Sequence, residues 1–451
     1  MLNKRYFSYD FDNKYFLYDS DTGLVFTSTE TMNRVVELIN LKYGKQNIID
    51  SLYRLDKNEV ENSINFLKQL SKQYNLREGQ NKDLVRKNKN IEESLWLDGQ
   101  VLSKMWLSIS YSCNMKCTYC FADSGTYGNE SMMTIETAKK CIDYFFKYVN
   151  KKANRFNVQY FGGEPLLNKE VFIFATEYIN QKSSELGLKP NYIITTNGTI
   201  MDNDILDVII SNRMYVHISI DGSKDIHNLN RKFSSGEETF GIVANNINMI
   251  KERGYRNIGA RVTLTKPGIK SLKEDVKFLW DFGFNHVFID IVKTDIKELA
   301  IDKDSICLLK QELEEIMIMM KEELLNGNMK CIRNITDMES IIKNRTIKAE
   351  CTYFNPFTIK FTPKGEIYKC EFALNEKENY VGSISKGIEW DKFKKTFTPE
   401  ERCLNCWAKR LCGGGCHLYS NDDVSCEYSK IIMENALKYY SFFESNEERA
   451  L

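Results

Sequence analysis

Ten of the thirteen cysteines in this 451-residue chain fall into two groups whose spacing suits metal ligation. The first is Cys113, Cys117 and Cys120, at C-x3-C-x2-C spacing just after the strand-like run Met105 to Ile109. Three thiolates on one short loop can hold three irons of a four-iron cluster. No fourth cysteine follows locally, so one iron would keep an open position where a small molecule can coordinate and react. Zinc is the alternative, because C-x2-C is also a zinc half-site; a second pair would usually lie nearby, and the next cysteine, Cys141, sits in a helical pattern. The second group runs Cys351-x13-Gly365-x4-Cys370, then Cys403-x2-Cys406-x5-Cys412-x3-Cys416-x9-Cys426. Seven cysteines can serve two four-iron clusters as four plus three, again leaving one iron open; two zinc ribbons are the competing reading. Cys141, Cys307 and Cys331 are scattered, and Cys141 and Cys307 read as small packing residues in helical surroundings.

Non-cysteine candidates stand at the ends of strand-like segments. Gly162, Gly163 and Glu164 follow Tyr160-Phe161. Paired glycines let backbone approach a ligand closely, and the Glu164 carboxylate can accept from an amine; alone, the same residues make a turn. Asn197 in Thr195-Thr196-Asn197-Gly198 and Ser219 in Ser219-Ile220-Asp221-Gly222 offer small polar groups to a nucleoside or an amino-acid carboxylate, or else cap strand ends. Arg231 and Arg261 are placed to pair a carboxylate bidentately, or lie on the surface.

The elements that must position these groups alternate. Strands are expected at 105–110, 157–161, 191–196, 214–220, 258–265 and 285–292, with helices such as Thr134 to Val149 and Val171 to Leu186 between them. Such alternation predicts an α/β fold, a partial (β/α)6 TIM-like barrel with chemistry at the C-terminal strand ends. Residues 1–74 read as a hairpin (Tyr15 to Tyr18, Leu24 to Thr27) plus three helices, a winged-helix plan that would serve for packing, for dimerisation or for docking a peptide on a strand edge. Residues 75–100 look like a linker, 101–293 form the barrel, 294–348 a helical bridge, and 349–451 a cysteine-rich domain whose first hairpin turns at Thr362 to Glu366.

Composition narrows the function classes. Lys+Arg and Asp+Glu both number 62, so no net field favours nucleic acid or an anionic membrane. No apolar run approaches the ~20 residues of a membrane span, and no signal region follows the N-terminus. A cytoplasmic location is expected, where closely spaced cysteines bind metal rather than form disulfides.

C-x3-C-x2-C followed by Phe121, then Gly162-Gly163-Glu164-Pro165, resembles the radical S-adenosylmethionine superfamily. The seven-cysteine segment resembles the SPASM auxiliary-cluster extension, and residues 1–74 resemble the precursor-peptide recognition element of peptide-modifying enzymes. With Cys120-Phe121-Ala122-Asp123-Ser124-Gly125-Thr126-Tyr127-Gly128, the chain looks most like maturases that build thioether bridges into cysteine-rich ribosomal peptides, of the sactipeptide and ranthipeptide type. The resemblance implies three 4Fe-4S clusters. Cys113, Cys117 and Cys120 would hold the one that binds S-adenosylmethionine. Cys351, Cys370 and Cys416 would hold a first auxiliary cluster, and Cys403, Cys406, Cys412 and Cys426 a second. Some relatives carry a further cysteine in the first auxiliary set; the interval Thr352 to Lys369 has none, which implies an open iron able to take a substrate thiol. A cysteine-rich precursor peptide and an electron donor such as flavodoxin or ferredoxin are the implied partners. Joining C–H to S–H releases two electrons, one with the hydrogen atom taken by a 5′-deoxyadenosyl radical and one through an auxiliary cluster. The alternatives are another radical peptide oxidation on this scaffold, either carbon–carbon cross-linking or formylglycine formation in sulfatases, and, more distantly, a zinc-stabilised binding protein.

Overall fold

The computed structural model describes residues 5–75, 102–348, 351, 357–374, 376–393, 401–416, 418 and 422–450. Apart from Asn75, the expected linker lies outside these. The chain forms two compact units, one of residues 95–333 and 352–396, the other of 1–94, 334–351 and 397–451. The segment read from sequence as one cysteine-rich domain contributes to both. Among the described residues no helix is long and apolar enough to cross a membrane.

The N-terminal sheet comprises β1 (Tyr6–Phe11), β2 (Lys14–Asp19) and β3 (Leu24–Ser28), antiparallel in that order. The β2–β3 hairpin matches the sequence reading. Strand β1 was not foreseen, although Tyr6-Phe7-Ser8-Tyr9 is the aromatic-rich pattern that strands favour. Helices Glu30–Asn40, Lys45–Ser51 and Lys57–Asn75 follow. The Thr29 hydroxyl caps the first by accepting from the Met32 amide at 3.2 Å. Their apolar stripes close a small core of Leu17, Val35, Val36, Ile48, Val60, Ile64 and Leu67. Helix Asp423–Ala450 belongs to this unit, and its Ser441 hydroxyl bonds the Tyr9 hydroxyl at 2.7 Å.

In the other unit, β4 (Lys104–Tyr111) pairs antiparallel with the short β5 (Ser131–Met132) and parallel with β6 (Arg155–Gly162). The parallel row continues through β7 (Lys189–Thr196), β8 (Tyr215–Ser219), β9 (Ile258–Leu264) and β10 (His286–Ile291) in strict chain order. All six expected strands are present, with helices Ile135–Tyr148, Lys169–Leu186, Asn203–Ser211, Phe240–Glu252 and Leu272–Asp281 between them. This is an α/β fold on a mostly parallel central sheet. Along β8, Val216 and Ile218 are buried while Tyr215, His217 and Ser219 are half-buried, the alternation of a strand whose two faces meet different surroundings.

Two additions to the sheet were not legible beforehand. Short β11 (Cys331–Ile332) extends it beyond β10, and β12 (Thr358–Phe361) lies parallel to β4. From β12 the chain turns through Gly365 (φ +77°), at the expected hairpin, into antiparallel β13 (Glu366–Tyr368), β14 (Tyr380–Ser383) and β15 (Gly387–Ile388). Cys370 thereby follows, two residues past β13, from a strand of this same sheet. One sequence expectation is corrected: Cys307 is exposed. It lies two residues, about 200° of helix, from Leu309, which shares the buried stripe of helix Lys303–Leu325 with Leu313, Ile316, Met317 and Met320. Cys141 is buried as expected.

Fully buried Asn379 fixes the turn that presents Cys370. Its Oδ1 accepts from the Cys370 amide at 2.6 Å, and its Nδ2 donates to the carbonyls of Cys370 at 2.6 Å and Ala373 at 2.7 Å. Asn379→Ala leaves these buried groups unpaired and is expected to cost about 2–4 kcal/mol in urea unfolding. Asn379→Asp, which sets a carboxylate oxygen against the Cys370 and Ala373 carbonyls, should be destabilised at least as much.

Candidate functional site

The loop carrying Cys113, Cys117 and Cys120 leaves β4 at Tyr111 and is held against the neighbouring strand ends by close backbone contact. The Gly163 amide donates to the Ser110 carbonyl and the Glu164 amide to the Ser112 carbonyl, both at 2.8 Å. A Cβ on Gly162 (φ +135°) would lie 2.0 Å from the Ser110 carbonyl oxygen, and one on Gly163 would lie 2.4 Å from that of Ser112. Gly125 closes the packing, since its Cβ would stand 2.7 Å from both Cys113 Cβ and Gly163 Cα. Gly162 is therefore required by contact with the end of β4, and Gly163 by contact with the cysteine loop.

Glu164 is fully buried, and its carboxylate points into the fold. Oε1 accepts from the Leu166 amide at 3.0 Å and the Thr196 hydroxyl at 2.8 Å, while Oε2 accepts from the Asn197 amide at 2.6 Å. The side chain thus ties the end of β6 to the end of β7, leaving backbone at Gly162 and Gly163 to face the loop. Burial pushes its carboxyl up to about 7 against the opposing effect of these three hydrogen bonds. Asn197 continues the contact, with Nδ2 2.9 Å from Asn114 Oδ1 and 3.6 Å from Cys113 Sγ. Its Oδ1 accepts from the amide and hydroxyl of Thr199.

The far side of the loop rests on residues 230–234. The Thr118 amide and hydroxyl meet the carbonyl and side-chain oxygens of Asn230 at 3.0 and 2.6 Å, and the Lys116 amide donates to the Lys232 carbonyl at 2.8 Å. Arg231 makes a bidentate buried pair with Asp221 at 2.9 and 3.1 Å. Asp221 also accepts from the Tyr119 hydroxyl and the Thr263 amide, and the positive guanidinium acts on the Cys117 thiol against the effect of its burial. Arg231 is accordingly committed to a carboxylate of its own chain through Nε and Nη2. Arg261 pairs with Asp290 at 2.7 Å on a half-exposed face, one strand across from Ser219, its partner in the β8–β9 register.

Burial raises the thiols of Cys113 and Cys117 to about 12 and 11, so ligation there displaces protons. Beside the loop, Phe121 packs on Phe372 with ring centroids 4.3 Å apart. Glu371, next to Cys370, is buried and accepts from Ser108 Oγ at 2.6 Å and the Tyr111 hydroxyl at 3.0 Å. Sequence reading missed Asn114, Tyr119, Asp221, Asn230 and Glu371 as parts of the site. Only Asp221 had a usable signal, as the acid in a strand-end quartet already marked for Ser219.

In the other unit, Cys403, Cys406, Cys412, Cys416 and Cys426 line one cavity of about 60 Å³ together with Lys409 and Lys430. Cys403 and Cys412 end up on short helices, Glu401–Leu404 and Lys409–Cys412, and Cys426 opens the long one. Among the described residues no three His, Cys, Asp or Glu side chains close around one point tightly enough for a single ion. Cys351 and Cys416 belong to this unit and Cys370 to the other.

Glu164→Gln retains shape but must set an amide NH2 against a backbone N–H, at Leu166 or Asn197. The unpaired donor should cost about 1–3 kcal/mol in urea unfolding. Between about pH 4.5 and 7 the folded chain keeps a proton on Glu164 that the unfolded chain releases, so stability falls as pH rises through that window. The variant should lack this segment of the pH profile.

The radical SAM superfamily model matches residues 107–279. The chain is 26% identical over 370 residues to a cysteine-type anaerobic sulfatase-maturating enzyme of Clostridium perfringens, covering 76% of this chain and 95% of that one. It is 22% identical over 467 residues to the radical SAM cyclopropyl synthase TigE of Paramaledivibacter caminithermalis, covering 95% and 93%. Native anSMEcpe with bound AdoMet superposes with a TM-score of 0.65 at 22% identity, covering 76% of this chain and 99% of that one. A parallel sheet with a three-cysteine loop after its first strand, braced by a Gly-Gly-Glu turn, together with these matches, makes the chain a member of the radical SAM superfamily.

Proposed function

We propose that this enzyme oxidises a cysteine-bearing peptide by two electrons, using S-adenosylmethionine at Cys113, Cys117 and Cys120 and auxiliary clusters on the later cysteines. The observation that carries the reading is the junction of Cys113, Gly125, Gly162 and Gly163, where closely packed backbone meets a thiol of the three-cysteine loop. When bound, the cofactor supplies a hydrogen-atom abstractor. The chain's residues do the rest: backbone at Gly162 and Gly163 meets the amino group, Ser219 and the remaining donors of Arg231 meet the carboxylate, and Asn197 hydrogen-bonds the Cys113 sulfur. Donors directed at cluster sulfurs shift the reduction potential.

Two outcomes fit a cysteine substrate. The sulfatase-maturating relatives support formylglycine formation most directly, through their names and their near-complete coverage. Thioether formation is favoured by the N-terminal sheet, in which β3 has one strand neighbour among the described residues, so its outer edge can accept an extended peptide. We take the thioether as the function, with the precursor docked on that edge, and sulfatase-type oxidation as the second reading. A reducing partner of flavodoxin or ferredoxin type is proposed for both.

Anaerobically reconstituted enzyme should hold about 12 irons per chain and form 5′-deoxyadenosine. Incubated with cysteine-rich peptides, it should yield a product that has lost two hydrogens and kept its sulfur. Loss of sulfur with gain of an aldehyde would instead establish the second reading. A colourless protein with stoichiometric zinc would exclude both.

A further inference from the structure

The N-terminal sheet does more in this unit than offer a docking edge, because its β2–β3 turn grips the segment between two cavity cysteines. Asp21 Oδ1 lies 2.5 Å from Lys409 Nζ, and the Asp21 carbonyl accepts from Arg410 Nη1 at 2.7 Å. Arg410 Nη2 donates onward to the Arg345 carbonyl at 2.8 Å, and the Lys348 amide donates to the Arg410 carbonyl at 2.8 Å, three residues before Cys351. Trp407, which follows Cys406, stacks on Phe7 of β1 with centroids 3.7 Å apart and planes 10° from parallel. The turn is itself stiffened from behind. Arg5 pairs bidentately with fully buried Asp19 at 2.9 and 3.0 Å, and Asp19 Oδ1 accepts from the Asp21 amide at 3.0 Å. At Gly23 (φ +76°) a Cβ would lie 3.2 Å from Arg410 Nε, so the turn and the arginine are in close contact.

Cys406 and Cys412 bracket the gripped residues Trp407 to Leu411, and Lys409 lines the cysteine cavity. Thiolates around that cavity concentrate negative charge, which cationic side chains at its wall offset. Asp21 balances one of those cations from outside.

We propose that Phe7 and Asp21 of the N-terminal sheet are positioning residues for the cluster held by Cys403, Cys406, Cys412 and Cys426, Phe7 fixing the ligand-bearing segment and Asp21 holding Lys409 and offsetting its charge at the cavity wall. Assembly and potential of that cluster then depend on the sheet proposed to receive the peptide. This rests on the auxiliary-cluster reading above.

The test uses full-length chain carrying C113A, C117A and C120A, so that only auxiliary clusters contribute to iron content and to the electron paramagnetic resonance of the reduced protein. The parent should hold about eight irons. Asp21→Asn keeps the shape of the turn and removes its charge; it should retain all the iron and move the midpoint potential of one cluster to a more positive value. Phe7→Ala should lose about four irons while Arg34→Ala, on an exposed part of the first helix, loses none. Far-UV circular dichroism separates lost iron from lost fold; if Phe7→Ala unfolds, the Asp21→Asn potential decides. Unchanged iron in Phe7→Ala together with an unchanged potential in Asp21→Asn would overturn the inference. A parent without auxiliary iron would instead overturn the cluster reading beneath it.

Discussion

Everything at the reaction centre depends on how closely backbone can approach the cysteine loop. Gly125, Gly162 and Gly163 bring three stretches of main chain together at distances no side chain would permit. That approach strips water from Cys113 and from the strand ends, and every polar group caught there must find a partner within the protein. The Glu164 carboxylate is the principal answer. It satisfies two backbone amides and a hydroxyl where β6 and β7 end, and so converts the cost of desolvation into a fixed geometry. A loop proposed to hold three irons in one arrangement needs that rigidity, since ligands free to wander would hold a cluster weakly.

A second polar brace acts from the opposite side. Asp221 collects four donors, two from Arg231 and one each from Tyr119 and Thr263, and so joins the third residue of the C-x2-C step to β9. Buried ion pairs of this kind contribute little net stability, because desolvation offsets attraction, yet breaking one is costly. Their value here is placement. Arg231 is held rigid with donors left over, beside Cys117, where a loosely held cation would spend its time in solvent.

The cysteine-rich tail divides between two structural tasks. Its first part extends the parallel sheet through β12 and carries Cys370 with Glu371 and Phe372, which touch β4 and the cysteine loop respectively. Its last part folds with the N-terminal sheet, where an aromatic stack and a charged turn clasp the residues between Cys406 and Cys412. Sequence order alone does not suggest that a chain's first thirty residues would brace its last fifty.

The amino-acid sequence by itself determined the local chemistry and the repeating architecture. Thiol spacing, paired glycines and apolar periodicity are properties of neighbours along the chain, so the three-cysteine loop, the six parallel strands and the Gly365 hairpin could be read directly. Only the tertiary structure decided which polar groups are already spent. Glu164 and Arg231 both read as free to meet a ligand, and both proved to be tied to partners 10 to 33 residues away. The exposed Cys307 and the parallel pairing of β12 with β4 were likewise set by packing. Burial and long-range pairing depend on which distant surfaces meet, and a one-dimensional pattern does not carry that information.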